Sequence, residues 1–136
     1  MLKKIPILSL TLLAVSLMFA SCSKDENPDL SGDAAYQGEF VSAVHTTSGT
    51  ASIDQDETTL SLTNFKTDSG PDLNIYLAAN IPDADNDFID LGNIKGIDGD
   101  FAYDLPDNVD YAHYKYVVVW CVAFSVNFGY AELEAQ

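Results

Sequence analysis

Apolar residues are distributed along this chain in two ways. Ile5 to Phe19 is a continuous apolar run, whereas from Tyr36 onward short alternations of apolar and polar residues follow one another between turn residues. Alternation at period two sends successive side chains to opposite faces of a strand. Thr58 to Phe65 shows it most clearly, with Leu60 and Leu62 on one face and Thr59, Ser61 and Thr63 on the other. Leu73, Ile75 and Leu77 repeat the pattern, as do Phe101, Tyr103 and Leu105. Read this way, the chain predicts strands over Tyr36–Val44, Thr50–Gln55, Thr58–Phe65, Leu73–Leu77, Phe88–Ile94, Phe101–Leu105, Tyr116–Phe124 and Phe128–Leu133. Turns are predicted at Thr46–Gly49, Ser69–Asp72, Asp98-Gly99 and Ser125–Asn127. Outside the N-terminal run, no window of about 12 residues or more keeps a helical period. The expected fold is all-β: an antiparallel β-sandwich or flattened barrel of about eight strands.

Tyr116 to Phe124 is the expected central strand, because three valines followed by Trp-Cys-Val-Ala-Phe suit a strand covered on both faces. Its alternation places Val118, Trp120, Val122 and Phe124 on one face and Val117, Val119, Cys121 and Ala123 on the other.

The N-terminal run has a different meaning. Lys3 and Lys4 precede it, and Ala20-Ser21-Cys22 follows it. A run of this length is shorter than the roughly 20 apolar residues a spanning helix needs, and its flanks are those of a signal peptide. Phe19-Ala20-Ser21-Cys22 resembles the bacterial lipobox, in which the cysteine becomes the diacylated first residue of the mature protein. The expected organisation is a lipoprotein signal peptide over 1–21, an acylated polar tether over 22–35 and a single β domain over 36–136. Ser23-Lys24-Asp25-Glu26-Asn27 resembles a surface-export tag of lipoproteins in some diderm bacteria. It favours an outer-membrane protein facing the exterior over one facing the periplasm, with the membrane as partner through the N-terminal lipid.

Charge narrows the partners. The whole chain has a formal net charge of −15, and no arginine occurs in it. Loss of Lys3 and Lys4 with the signal would leave a mature net charge of −17. Such a chain repels phosphate backbones, which excludes nucleic acid as a partner, and it has no charge-based hold on anionic lipid.

Candidate chemistry is sparse. With Cys22 acylated, Cys121 has no intramolecular disulfide partner, and a lone thiol in an oxidising compartment stands out. A reactive cysteine needs a cation, a helix N-terminus or a metal to favour its thiolate. An apolar strand of an acidic protein offers none of these directly; Lys95 and Lys115 are the nearest cations by position. His45 and His113 are the only histidines and fall in loops or at strand ends. An imidazole together with a thiolate could ligate a metal or haem iron through Cys121, although no Cys-x-x-Cys-His is present for covalent haem. Asp83, Asp85, Asp87 and Asp90 are spaced like the opening of a calcium loop. Phe88 and Ile94 stand where an EF-hand places its glycine and glutamate, so only a non-EF calcium site is open to them, against a solvated acidic turn. No Gly-x-Ser-x-Gly and no phosphate-binding glycine loop is present.

Several short motifs, in order, resemble the DM-thirteen domain, an electron-transfer domain of bacteria and animal cell-surface proteins. They are His45 with Ser48-Gly49-Thr50-Ala51, Phe65 to Leu73 with Ile75-Tyr76-Leu77, Leu91 to Gly96, Gly99 with Tyr103 and Pro106, Val117 to Cys121 with Phe124, and Phe128-Gly129 with Ala131. The likeness runs from about Gly38 to Leu133. It implies an extracytoplasmic all-β domain whose hallmark cysteine corresponds to Cys121, acting as a bare thiol or as ligand to a group such as haem. His45 joins it as a weaker site candidate because it lies in a matched motif.

Two functions follow. In one, Cys121 passes electrons to, or forms a mixed disulfide with, an unidentified redox partner protein. In the other, a non-catalytic β-sandwich binds or displays, Cys121 is core packing, and Tyr111, Tyr114 and Tyr116 supply a surface contact.

Overall fold

A computed structural model describes residues 34–136; the expected signal peptide, Cys22 and nearly all of the expected tether lie outside the described residues. The strands are β1 (Ala34–Ser42), β2 (Ser48–Asp54), β3 (Thr59–Lys66), β4 (Leu73–Ala78), β5 (Phe88–Asn93), β6 (Asp98–Asp104), β7 (Tyr116–Cys121), β8 (Val126–Glu132) and the two-residue β9 (Glu134–Ala135). They form a single antiparallel sheet in the order β5-β4-β7-β8-β1-β2-β3-β6, with β9 beside the first half of β1. The fold is therefore a nearly closed barrel and not two separate stacked sheets. β1 makes the continuity possible: its first half pairs with β2 and β9, and its second half, Phe40–Ser42, pairs with β8.

The period-two pattern is realised as expected. Leu60 and Leu62 of β3, Leu73, Ile75 and Leu77 of β4, and Val117, Val119 and Cys121 of β7 all point into one core inside the barrel. β4 is buried on both faces, because Tyr76, Ala78, Val118 and Trp120 form a second cluster on the outer wall. Residues 79–87 cover that cluster with Ile81 and Ala84, the latter in a single 3₁₀ turn (Ala84–Asn86). Tyr76 stacks there between Phe88 (centroids 4.1 Å) and Trp120 (6.1 Å).

Two boundaries and one side-chain placement differ from expectation. The central strand stops at Cys121, and Val122 to Ser125 form the turn. Asp72 O captures the Val122 amide at 3.0 Å and Ser125 takes a left-handed φ of 55°, so Val122 and Phe124 leave the aromatic face and stand exposed. Asp98-Gly99 is no hairpin turn; it opens β6, paired with Lys66 and Phe65 of β3. Tyr111, expected at the surface in the display reading, is buried in the core against Tyr36 with centroids 5.0 Å apart. Burial pushes its hydroxyl, which has no hydrogen-bond partner among the described residues, up to about 12.

The sheet's edges, β5 and β6, flank the seam that keeps the barrel from closing. Residues 94–97 are folded into that seam: the Lys95 amide donates to the Tyr103 hydroxyl at 2.9 Å, and the Lys95 ammonium donates to the Ala102 carbonyl. Gly96 packs against Phe101 there, and a Cβ at that position would lie 2.4 Å from the tip of the ring, which would have to move.

Candidate functional site at the Cys121 end of the barrel

Strand directions gather four connections at one end: 43–47, 67–72, 94–97 and 122–125. Hydrogen bonds join them into a ring. Val44 N donates to Asn127 O, Val122 N to Asp72 O, Thr67 N to Ile97 O and Ile94 N to Leu73 O, all at 2.9–3.0 Å. Thr47, itself buried, links the first two loops inside the ring, its hydroxyl lying 2.9 Å from that of Thr67 and 3.2 Å from Phe128 O. Gly129 must be a glycine for this plug to fit, because a Cβ would lie 2.4 Å from the Thr47 side chain.

Cys121 closes β7 at this end, in register with Leu73 of β4 and Val126 of β8. It is 0 % exposed and belongs to the barrel core. Its Sγ donates to the Pro71 carbonyl at 3.2 Å, a contact only the protonated thiol can make. Trp120 faces the outer cluster, so the two neighbours do lie in opposite layers. Asn127, paired with Trp120, keeps a buried Oδ1 with no hydrogen-bond partner among the described residues.

His45 sits in the same end without touching the sulfur. Its Nδ1 lies 2.8 Å from Asp68 Oδ2, and its ring lies over Phe128 with centroids 3.9 Å apart. Gly70 packs on that same Phe128 ring, where a Cβ would come within 2.7 Å. His45, Phe128 and the 67–72 loop thus form a lid whose next residue, Pro71, holds the thiol. The two lysines nearest to Cys121 by position are engaged elsewhere: Lys95 at Ala102 and over the Tyr103 ring, Lys115 at 4.0 Å from Glu132 at the other end of β7.

The remaining candidates lie apart from Cys121. Asp87 lies 2.8 Å from His113 Nε2 and accepts from the Tyr114 hydroxyl at 2.9 Å, and these contacts hold its carboxyl below the ordinary aspartate range. Asp90 accepts from the Asn74 amide at 2.9 and 3.0 Å and from Gly92 N. Asp83 and Asp85 flank and occupy the 3₁₀ turn. Two of the four carboxylates are thereby turned to protein donors, and among the described residues no three acidic, histidine or cysteine side chains converge as ligands. Haem fits the sulfur no better. A group bound to Cys121 would have to displace the Pro71 carbonyl and packed core side chains from a site closed to solvent.

The sequence marks Cys121 and His45 as candidates but not Pro71, Thr47 and Asp68, which contact them. Pro71 and Asp68 were within a matched motif; their roles depend on how the 67–72 loop folds back over β7.

No curated protein and no solved structure matches the chain. A family match covers residues 39–133, the barrel from the middle of β1 to the end of β8. Most of the recognised motifs border the Cys121 end, and the chain belongs to the family described as Electron transfer DM13.

Proposed function

We propose that this chain is a surface-anchored bacterial lipoprotein whose barrel exchanges electrons through the bare thiol of Cys121. The observation that carries the reading is convergence: stretches of the family-matched region from β1–β2, β3–β4, β5–β6 and β7–β8 meet at the end of the barrel where Cys121 closes β7 beneath Pro71. The chemistry that suits such a thiol without a cofactor is thiol–disulfide exchange. Cys121 gives up its proton and its sulfur attacks a partner disulfide. One partner sulfur leaves as thiolate and takes up a proton, so the mixed disulfide forms with no outside oxidant. Because the sulfur is enclosed, the step requires the 67–72 loop to open first.

Native protein should therefore react with a small aromatic disulfide, slowly and with a rate set by loop opening. One thiol is released per Cys121, and unfolding accelerates the reaction. Cys121→Ala should abolish the release while retaining the fold. Reaction seen only after global unfolding would sink the redox role. Complete burial of the thiol favours a second reading, a non-catalytic binding module in which Cys121 is core packing.

Anchoring rests on the lipobox at Cys22 and on the surface-export pattern after it. Ala34, the first described residue, pairs with Asp54 at the end of the barrel opposite Cys121. Cys22→Ala should move the protein from the membrane fraction to a soluble or uncleaved form; unchanged fractionation would refute the anchor.

A further inference from the structure

Large apolar side chains are exposed in a biased way. Of the six among the described residues, Phe124 (68 % exposed), Val44 (63 %), Val122 (39 %) and Ile97 (38 %) belong to the connections at the Cys121 end, while Val41 lies on β1 close to that end and Phe88 opens β5 at the other. The hydrogen bonds that ring this end place their loops side by side: Val44 is tied to β8 just after the 122–125 turn, Val122 to the 67–72 loop, and that loop to Ile97. Isolated exposed apolar residues are ordinary, but a set gathered at one end and held on a hydrogen-bonded frame is the composition of an interface centre.

Charge is biased the other way. Asp56, Glu57, Asp83, Asp85, Asp107 and Asp110 lie in the connections of the opposite end. The apolar end carries fewer, Asp68, Asp72, Asp98 and Asp100, with Asp68 against His45 and Asp98 3.9 Å from Lys66. Lys66 and Lys95, two of the three lysines in the described residues, also lie there. The field of a strongly acidic body draws in basic proteins and is screened by salt, and the exposed carboxylates around the apolar end would face the partner's cations.

We infer that the Cys121 end is a docking surface for a basic protein partner with an apolar contact patch ringed by lysine or arginine, seated on Phe124, Val44, Val122 and Ile97. The first described residue, Ala34, lies at the other end of the barrel. Docking of this kind does not depend on the thiol, and its test is kept separate from the redox reading.

Cytochrome c, a basic protein with an apolar haem edge, is the probe. Titrated into isotope-labelled protein at low ionic strength, it should shift resonances of Val44, Ile97, Val122 and Phe124 first. The Val44→Ser, Val122→Ser, Phe124→Ser triple variant should bind about tenfold more weakly or worse; Phe124→Ala alone should lose a smaller part. Asp56→Asn with Asp107→Asn should leave the contact site in place and reduce the salt dependence. Cys121→Ala should bind as the native protein does. Shifts mapping to the acidic end, or equal binding by the triple variant, would overturn the assignment, as would absence of binding. A dimer of the protein itself that the triple variant dissolves would give the surface to a second copy and also overturn it.

Discussion

Phe65→Ala should cost about 3–5 kcal/mol of unfolding free energy, the largest stability loss expected from a single substitution in this barrel. Phe65 is fully buried near the end of β3 and sits edge-on to Phe40 at 5.2 Å and to Phe101 at 6.4 Å. It therefore ties β1 to β6 across the interior, where β3 alone could not. The backbone around it has no room to collapse into the cavity, since Gly49 already brings β2 close enough for a Cβ to lie 2.7 Å from the Phe65 Cα. Small domains are stable by only about 5–15 kcal/mol, so the variant should be marginal. Trp120 is the one tryptophan and is buried, which makes its fluorescence in a urea titration a clean reporter. Phe65→Leu, which leaves a smaller cavity, should lose less. A loss below about 1 kcal/mol for Phe65→Ala would mean that this packing does not hold the barrel together.

Gly38→Ala should be the next most damaging change, at about 2–3 kcal/mol or more, from the addition of one methyl group. Its Cβ would lie 2.1 Å from the Glu132 carbonyl oxygen and 2.8 Å from the carbonyl carbon. Both are backbone atoms, so no side chain can turn away. The position is special because β1 changes partner there: Gln37 pairs with β9 and Phe40 with β8. A methyl at the handover forces the two halves of β1 apart and threatens the continuity of the sheet. Thermal unfolding should drop by roughly 10 °C, as about 4–8 °C per kcal/mol applies to a domain of this size. Gly70→Ala, whose Cβ meets the tip of the Phe128 ring and the end of Leu73, is the comparison and should cost less. Equal melting temperatures for Gly38→Ala and the native protein would refute the handover argument.

The alternation along Thr59–Phe65, Leu73–Leu77 and Tyr116–Cys121 was enough to identify the strands and their inward faces. Side-chain direction in a strand is a local property of the backbone, and a one-residue slip would have buried threonines. The same alternation put Trp120 and Cys121 in opposite layers, and the motifs around Cys121 were sufficient to expect the family to which the chain belongs. Continuing the pattern past Cys121 failed, because Val122 and Phe124 alternate like strand residues but turn outward under a hydrogen bond from a loop 50 residues earlier in the chain. No local pattern encodes that contact.

Sequence by itself determined the all-β class and the core-facing positions of β3, β4 and β7 as far as Cys121. Only the tertiary structure decided that the sheet curls into one nearly closed barrel, because that depends on β1 serving two sets of partners. Tertiary packing also turned Asp87 toward His113 and Tyr114, left Tyr111 inside, and put the Pro71 carbonyl on the Cys121 sulfur. Each of these is a contact between segments far apart in the chain, set by loop closure and packing, which neither periodicity nor composition contains.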